Sequence, residues 1–409
     1  MHILFLTDNF PPEVNAPASR TFEHCREWVR QGAQVTVITC APNFPKGAVF
    51  EGYRNALWQS AMVEGIRVIR VWSYITANEG FVKRILDYLS FMCTATIAAL
   101  FVRKVDVIVG TSPQFFTACA ACAASMLKRR PWVFELRDLW PESIKAVGAM
   151  GESAAIRFLE RIEALLYRKA DRIVAVTHSF KDSLVRRGVD GSKIEVITNG
   201  VDLDNFRPLP KDSALTRELG LEGCFVAGYI GTHGMAHGLE TLLEAAAMLQ
   251  ARPDATDIRL LFLGHGAQKA ALVERAAQTG LRNVRFIDSV PKSEVARYWS
   301  LLDVSIIHLR NTDLFNSVIP SKLFECMGMG IPVLHGVPGE SADIVRSEGV
   351  GEVFESGNAG QLAEGLLRLR SEPGRHDLYR TNGPVAGRKY NRNDLARRML
   401  DILEKMQRS

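Results

Sequence analysis

The chain has 409 residues, of which 47% are apolar and 23% are charged, and its formal net charge is +5. This length exceeds one ordinary core, so two domains of about 200 residues are expected. The charge is too mild to indicate a nucleic-acid-binding protein. Seven scattered cysteines favour a reducing, cytoplasmic setting over a disulfide framework or a metal site, and the first residues lack the basic start and long apolar core of a signal peptide.

The first half of the chain alternates short apolar runs with helical patterns. Helices are predicted at 20–31 and 153–169, and strands at 2–8, 33–40, 66–73, 105–113, 132–138, 171–177 and 194–202. Strands that alternate with helices and end in polar or glycine-containing loops are typical of a doubly wound parallel sheet with helices on both faces. Ligands of such sheets bind beyond the carboxyl ends of the strands.

The run 85–102, ILDYLSFMCTATIAALFV, has Asp87 as its one charged residue and basic pairs on both sides. It reaches the minimum length of a membrane-spanning helix. It also lies between strands of one predicted sheet, which a spanning helix would place on opposite sides of the membrane. Contact with a membrane surface through about 82–104 is therefore the preferred interpretation, because basic residues attract anionic lipid. A buried core helix and a spanning helix are the alternatives.

The stretch 202–213 has two prolines and little periodicity, which is typical of a linker. The alternation then restarts, with helices predicted at 239–250, 268–279 and 293–301 and strands at 225–231, 258–264, 284–288, 303–309 and 331–335. We therefore predict an α/β protein with two Rossmann-like domains, 1–203 and 204–391, that face each other across a cleft. The last helix, about 392–409, could pack back on the first domain.

The segment 316–335, NSVIPSKLFECMGMGIPVLH, predicts a short helix that starts near Pro320 and Ser321 and leads into a strand. A helix N-terminus attracts anions through its unpaired N–H groups and its dipole. Lys322 would add a full positive charge, and Glu325, one turn later, could accept hydrogen bonds from a diol. A phosphate beside a ribose would satisfy both residues. The alternative is an amphipathic surface helix whose Lys and Glu are solvated.

The run YIGTHGMAHGLETLLEAA leads from a strand into a helix through Gly231, Gly234 and Gly238. Such turns let backbone N–H groups approach a phosphate closely. The spacing is not G-x-G-x-x-G, and no acidic residue follows at the right place for a dinucleotide ribose. A nicotinamide oxidoreductase is also disfavoured because the first strand-loop-helix of the chain lacks the required glycines. A second anion-binding element in the same domain, around Ser321, favours phosphate contact over simple tight turning. The turn LGHGAQ (263–268) is predicted to be structural.

Several blocks of this sequence carry a family resemblance. The run KIEVITNGVDLDNFRP, from Lys193, resembles the N-G-V-D…F-x-P signature of glycosyltransferase family four. Further blocks agree in order and spacing over nearly the whole chain: YIGTHGMAHGLETLLEAA, IRLLFLGHG, VRFIDSVPKSEVARYWSLLDVSII and IPSKLFECMGMGIPVL. The resemblance implies a retaining enzyme of the two-Rossmann GT-B fold that uses a nucleotide sugar. In the first half, FPPEVNAPASR, GTSPQFFTACAACA and FELRDLWPES are similar to a bacterial branch that builds O-antigen and capsule sugars, with L-fucosamine-type (amino-deoxyhexose) transferases as the nearest type.

The resemblance implies roles for single residues in the second half. Glu325 matches the second acid of the family's E-x7-E motif, which binds the ribose hydroxyls, and Ser317 stands where the first acid is expected. Thr232 and His237 stand where the family has a phosphate-binding Arg and Lys, and an unperturbed histidine is largely neutral at pH 7. Lys322 is therefore expected to carry more of the diphosphate charge. Residues at the starts of the two helices complete the predicted donor site: Gly231, Gly234 and Ser321.

In the first half, the resemblance places Asn15 in an acceptor and phosphate loop, to which we also assign Asn199 of the N-G-V-D signature. Arg137 stands where many members have an active-site His. Asp138 follows it and could orient the acceptor or stabilise positive charge at the sugar carbon; the alternatives are a salt bridge to Arg137 or a helix cap. Asp202-Leu203-Asp204 spells the D-x-D of metal-dependent transferases, but it lies in the predicted linker, so no metal is expected.

The predicted function is a metal-independent hexosyltransferase-type transfer with retention. The donor is a nucleoside-diphosphate sugar, with UDP favoured, and the acceptor is a lipid-linked saccharide of O-antigen, lipopolysaccharide or capsule synthesis at the inner face of the plasma membrane. No cofactor is expected. Departure and attack would share one face of the sugar, and positioned N–H donors and cations would stabilise the leaving diphosphate. A nucleotide-sugar epimerase of the same fold and an inactive nucleotide-sugar-binding partner subunit are the alternatives.

Overall fold

The computed structural model describes residues 1–44, 47–76, 81–140, 154–312 and 314–408. The chain divides into two compact units. Unit 1 comprises Met1–Thr198 together with Arg392–Ser409, and unit 2 comprises Asn199–Asn391.

Unit 1 is built on a mostly parallel sheet. Its strands are β1 (His2–Leu6), β2 (Gln34–Cys40), β3 (Trp58–Val63), β4 (Ile66–Val71), β5 (Val107–Thr111), β6 (Trp132–Leu136), β7 (Arg172–Ala175) and β8 (Ile194–Val196). Their order across the sheet is β3-β4-β2-β1-β5-β6-β7-β8. The strands β1, β5 and β6 are buried at every residue, as expected for parallel strands covered on both faces.

The edge of this sheet differs from the prediction, because β3 pairs with β4 in an antiparallel hairpin. The sequence of β3 shows no buried apolar run, since most of its side chains are exposed. The helices of the unit are α1 (Ala16–Arg30), α2 (Phe81–Phe101), α3 (Phe115–Lys128), α4 (Ala154–Lys169) and α5 (His178–Arg186). Helix α1 begins earlier than predicted, because Asn15 caps it and a proline lies in its first turn.

Unit 2 contains a second parallel sheet, in the order β11-β10-β9-β12-β13-β14. Its strands are β9 (Phe225–Ile230), β10 (Ile258–Leu263), β11 (Val284–Ile287), β12 (Val304–His308), β13 (Val333–Gly336) and β14 (Gly351–Val353). Its helices are α6 (Ser213–Glu218), α7 (Glu240–Gln250), α8 (Lys269–Gln278), α9 (Lys292–Trp299), α10 (Lys322–Met329), α11 (Glu340–Glu348), α12 (Ala359–Ser371) and α13 (Pro373–Lys389). Separate apolar clusters cover the sheet's two faces, so the prediction of two parallel-sheet α/β domains is confirmed.

The boundary between the units lies before Asn199 rather than at 203/204. Val201 and Phe206 are buried in the core of unit 2, and Val201 pairs with Asn391 in an isolated parallel bridge. Gly328 of α10 packs against this segment so closely that a Cβ there would lie 2.6 Å from the carbonyl oxygen of Phe206. The start of the predicted linker is therefore packed into unit 2.

The C-terminal helix α14 (Arg392–Arg408) belongs to unit 1 and packs on α1. The indole Nε1 of Trp28 donates a hydrogen bond to the carbonyl oxygen of Ala396 at 2.8 Å. Glu23 and Arg392 form a buried ion pair between the two helices. The last part of the chain thus covers the apolar face of α1.

Helix α2 lies against α3 and the strands β2 and β4. By length and composition alone, its part Lys83–Phe101 could cross a membrane. Only 22% of the most apolar 18 residues of this part are buried. Ile97 is 57% exposed and Phe101 is 71% exposed. The alternative of a buried core helix is therefore wrong, because much of the apolar surface of α2 faces outward from unit 1.

Candidate functional site

The loop that follows β9 turns at Gly231, whose φ of +144° lies in the region that favours glycine. The hydroxyl of Tyr229, still on the strand, donates a hydrogen bond to the carbonyl oxygen of Thr232 at 2.8 Å. The side chain of Thr232 is exposed. Among the described residues, the backbone N–H groups of Thr232 and Gly234 have no intramolecular acceptor. This loop can therefore offer two N–H donors to an anion.

The glycine-rich turn after β10 packs against that loop and forms hydrogen bonds with its backbone. The N–H of His233 donates to the carbonyl of His265 at 3.0 Å, and the N–H of Gln268 donates to the carbonyl of His233 at 2.9 Å. A Cβ on Gly264 would lie 1.9 Å from the carbonyl oxygen of Gly231, so only glycine permits this approach. The turn 263–268 thus holds the shape of the first loop.

Lys322, the first residue of α10, reaches into the same place. Its Nζ lies 3.7 Å from the ring centroid of Tyr229, and a Cβ on Gly231 would lie 2.9 Å from that Nζ. Burial lowers the pKa of Lys322 to about 8, against the opposing charges of Cys326 and Glu325. Within the part of the chain that the structure describes, this ammonium group makes no hydrogen bond and no ion pair. A desolvated cation without a counterion is well suited to bind an anion.

The other predicted residues near α10 have different surroundings. Ser321 occupies the N-cap position, but its side chain makes no capping hydrogen bond, because its backbone is already helical at φ −58° and ψ −29°. The hydroxyl of Ser317 donates to the carbonyl of Leu314 at 2.7 Å, within its own turn. Glu325 is half-buried and lies one turn after Lys322, where it can also receive a ligand hydroxyl.

His237 closes the loop beside these groups. Its ring lies 6.0 Å from that of Tyr229, in an edge-on arrangement, and its Nδ1 is 3.3 Å from the carbonyl oxygen of Gly234. Burial, and then the charge of Lys322, lower the pKa of His237 to about 4. His237 is therefore neutral at pH 7, and the positive charge at this loop comes from Lys322.

In unit 1, Arg137 and Asp138 directly follow β6. The hydroxyl oxygen of Ser112 accepts hydrogen bonds from the backbone N–H groups of Arg137 at 2.7 Å and Asp138 at 3.2 Å. Burial lowers the pKa of Arg137 to about 10, so the guanidinium stays charged at neutral pH. Beside it, Glu135 forms a buried ion pair with Arg20 at 2.9 Å. Positions 141–143 of the FELRDLWPES block lie outside the described residues.

Of the two predicted acceptor-loop residues, Asn15 is held by local contacts. The Oδ1 of Asn15 accepts from the N–H of Ala18 at 2.8 Å and so caps α1, while its Nδ2 donates to the side chain of Asn9. Asn199 is the first residue of unit 2, so the structure does not place it in the same unit as Asn15.

No group of three or more His, Cys, Asp or Glu side chains that could hold a metal ion is found in the described part of the chain. The carboxylate of Asp202 accepts hydrogen bonds from the N–H of Asp204 at 3.1 Å and from the side chain of Asn205 at 2.7 Å. The D-x-D sequence therefore forms a local turn.

Sequence reasoning missed Tyr229, Ser112 and the buried pair of Arg20 and Glu135. A tyrosine two residues before a strand-ending glycine is a signal that could have drawn attention to Tyr229. Nothing comparable marks Ser112, which reaches the site because β5 and β6 are neighbours in the sheet.

Comparisons with known proteins identify the family of the chain. Residues 15–200 match the family model of a glycosyl transferase 4-like domain, and residues 224–372 match that of glycosyl transferases group 1. WcaI of Escherichia coli (strain K12), whose name assigns it to colanic acid biosynthesis, is 26% identical over 341 residues, covering 81% of this chain and 82% of WcaI. WbjE of Pseudomonas aeruginosa, named as a glycosyltransferase, is 24% identical over about half of each chain, 53% in both cases.

Solved structures show the same fold over almost the full length. Sucrose-phosphate synthase of Thermosynechococcus elongatus has a TM-score of 0.77 at 16% identity, covering 99% of this chain and 98% of that one. Anabaena Alr3699/HepE in complex with UDP has a TM-score of 0.72 at 17% identity, covering 99% and 100%. WaaG, a glycosyltransferase involved in lipopolysaccharide biosynthesis, has a TM-score of 0.70 at 15% identity, covering 98% and 99%. With family models matched in both units and these neighbours, the chain belongs to the group 1 glycosyltransferases with the GT-B fold.

Proposed function

We propose that this protein is a retaining glycosyltransferase that moves a sugar from a UDP-linked donor to a lipid-linked saccharide in the synthesis of a surface polysaccharide. The observation that carries the proposal is the ammonium group of Lys322, which has no hydrogen-bond or ion-pair partner among the described residues and lies beside the N–H donors of the loop after β9. A diphosphate needs such an arrangement of one cation and several N–H groups. In this proposal Glu325, one turn further along α10, accepts hydrogen bonds from the ribose hydroxyls.

The relatives support the choice of donor and pathway. HepE binds UDP and UDP-glucose, WcaI is named for colanic acid biosynthesis, and WaaG acts in lipopolysaccharide biosynthesis. The resemblance in the first half to L-fucosamine-type transferases favours an N-acetylated amino-deoxyhexose as the transferred sugar.

The reaction that we propose runs without a metal ion. Lys322 and the loop N–H groups stabilise the charge that develops on the leaving diphosphate, which is the task that a metal performs in other transferases. In unit 1, Asp138 orients the acceptor hydroxyl. Ser112 supports this role, because it fixes the backbone of both Arg137 and Asp138 after β6. The leaving phosphate then takes the acceptor proton.

Helix α2 is proposed to rest on the bilayer that carries the acceptor. Ile97, Leu100 and Phe101 are exposed on its C-terminal half, and the ring of Phe101 lies 6.5 Å from that of Trp58 on the edge strand. The ammonium group of Lys128 donates a hydrogen bond to the carbonyl of Val102 at 2.8 Å, which holds its positive charge near the C-terminal end of α2. An apolar helix with aromatic and basic residues at one end is suited to the surface of an anionic membrane.

Nucleotide binding and turnover test the function. UDP at 100 times its dissociation constant should stabilise the protein by about 2.7 kcal/mol. In turnover with UDP-sugars and membrane-extracted acceptor, Lys322→Ala should reduce the rate at least tenfold, since a charge-assisted bond contributes roughly 1.5–3 kcal/mol. Lys389→Ala, which removes an exposed lysine of α13, is the matched control.

Three results would count against the proposal. An absence of stabilisation by UDP, GDP and ADP alike would exclude a nucleotide-sugar enzyme. Conversion of the nucleotide sugar into an isomer without any acceptor would identify an epimerase. Binding of UDP without turnover on any acceptor would identify an inactive partner subunit.

A further inference from the structure

The contact between Lys322 and Tyr229 joins the start of α10 to the end of β9. We propose that Tyr229 is a positioning residue, whose ring face holds the ammonium group of Lys322 where the donor's diphosphate binds. This inference rests on the proposed function, since it concerns the same donor site. It adds a residue that touches neither the diphosphate nor the sugar and acts through Lys322.

The geometry of the pair supports this role. The Nζ of Lys322 lies 3.7 Å from the ring centroid of Tyr229, well within the range in which a cation is attracted to the face of an aromatic ring. The ring is 1% exposed and Lys322 is half-buried, so water competes little for the ring face. The described residues offer this ammonium no carboxylate at ion-pair distance. The ring face therefore favours its charged form at close range, together with the more distant charge of Glu325.

Tyr229 also ties the cation to the loop. Its hydroxyl donates to the carbonyl of Thr232 at 2.8 Å. The same buried side chain therefore contacts both the loop and the ammonium group of Lys322. Gly231 leaves the space for the lysine, because a Cβ there would lie 2.9 Å from Nζ and 3.4 Å from Cε. The N–H donors and the cation are therefore set at a fixed separation before the donor arrives, which reduces the entropy lost on binding.

A purely structural role is the competing explanation. Tyr229 is part of the apolar cluster beneath α7, and its loss would disturb that packing. Such a disturbance would weaken donor binding whether or not Lys322 is present. The two explanations therefore differ in whether the effect of Tyr229 depends on Lys322 and on the electron density of the ring.

The first experiment is a double-mutant cycle on UDP affinity, measured by calorimetry on the full chain. Tyr229→Leu should weaken UDP binding roughly tenfold in the wild-type background. In the Lys322→Ala background the same substitution should change binding by about twofold or less, because the cation is absent. Tyr229→Phe keeps the ring face and loses the hydroxyl, so it should weaken binding by only about twofold to threefold.

The second experiment preserves the packing, in case Tyr229→Leu does not fold. Position 229 is replaced by phenylalanine and by its mono-, di- and trifluorinated forms, which keep nearly the same shape while the ring face becomes less negative. The logarithm of the UDP dissociation constant should rise steadily along the series. A flat series, or an equal effect of Tyr229→Leu in both backgrounds, would overturn the inference. Wild-type protein that does not bind UDP would overturn the proposed function itself, and the inference with it.

Discussion

The imidazole of His308 donates a hydrogen bond from Nδ1 to the carbonyl oxygen of His237 at 2.7 Å, while its Nε2 accepts one from the N–H of Gly357 at 3.0 Å. A carbonyl can only accept and an amide N–H can only donate, so these partners select one neutral tautomer. The ring also stacks on Phe354, with centroids 5.8 Å apart. His308 thus joins the end of the loop after β9 to the loop that precedes α12.

Replacing His308 by phenylalanine should keep the stacking and remove both hydrogen bonds. We expect a loss of about 1–3 kcal/mol in unfolding free energy, because the carbonyl of His237 loses its partner, and weaker UDP binding because the loop is no longer held. Urea unfolding and calorimetry measure the two effects. His376→Phe is the control, since its ring contacts the backbone carbonyl of Asp303 at 2.8 Å, far along the chain from the loop. Unchanged UDP affinity in His308→Phe would contradict the positioning role.

The affinity for UDP should depend on the protonation of Lys322. Its pKa of about 8 without ligand should rise when the diphosphate binds, because an adjacent anion favours the charged form. The dissociation constant should therefore be constant below pH 8 and increase above it, by up to about tenfold per pH unit. Calorimetry between pH 6.5 and 9.5 measures this. Lys322→Arg should abolish the dependence, since an arginine stays charged; a slope that persists in this variant would assign the titration to another group.

Buried histidines should make the fold sensitive to acid. Burial lowers the pKa of His335 to about 3, and His335 lies 2.7 Å from the hydroxyl of Ser341. The unfolded state takes up a proton near pH 6.5 that the folded state refuses, so stability is complete above pH 6.5 and falls as the pH drops toward 3. His335→Asn should reduce the slope of unfolding free energy between pH 4.5 and 6 by up to about 1.4 kcal/mol per pH unit. An unchanged slope would show that His335 does not titrate in this range.

Acidic substitutions on α2 should release the protein from membranes. The double variant Ile97→Glu/Phe101→Glu places two negative charges on the exposed apolar face, where they are repelled by anionic lipid. Binding to vesicles that contain phosphatidylglycerol should be lost in flotation, while UDP affinity stays unchanged. Leu378→Glu/Val385→Glu on α13 is the matched control, because these side chains are 56% and 57% exposed in unit 2. Equal release by both variants would argue against a specific contact through α2.

Strand-by-strand alternation predicted the two parallel sheets, because fully buried strands such as β1 and β5 carry uninterrupted apolar runs. The edge strand β3 was not predictable in the same way, since its mostly exposed side chains show neither a continuous apolar run nor an alternation of apolar and polar residues. Lys322 and Glu325 were found because a helix start is encoded locally. Tyr229 was missed because its contact with Lys322 joins residues that are far apart in the sequence and meet only when β9 and α10 pack. The same reason explains why Ser112 was missed, since it reaches Arg137 only because β5 and β6 are neighbours in the sheet.

The return of α14 to α1 makes unit 2 an insertion within unit 1. During synthesis, all of unit 2 emerges before the residues that complete unit 1. Trp28 and Glu23 therefore meet their partners Ala396 and Arg392 only after unit 2 has been synthesised, and the apolar side of α1 stays uncovered until α14 follows. A chain that stops early within unit 2 would leave that surface open to chaperones and proteases. Helix α14 thus makes the integrity of unit 1 depend on the synthesis of all of unit 2.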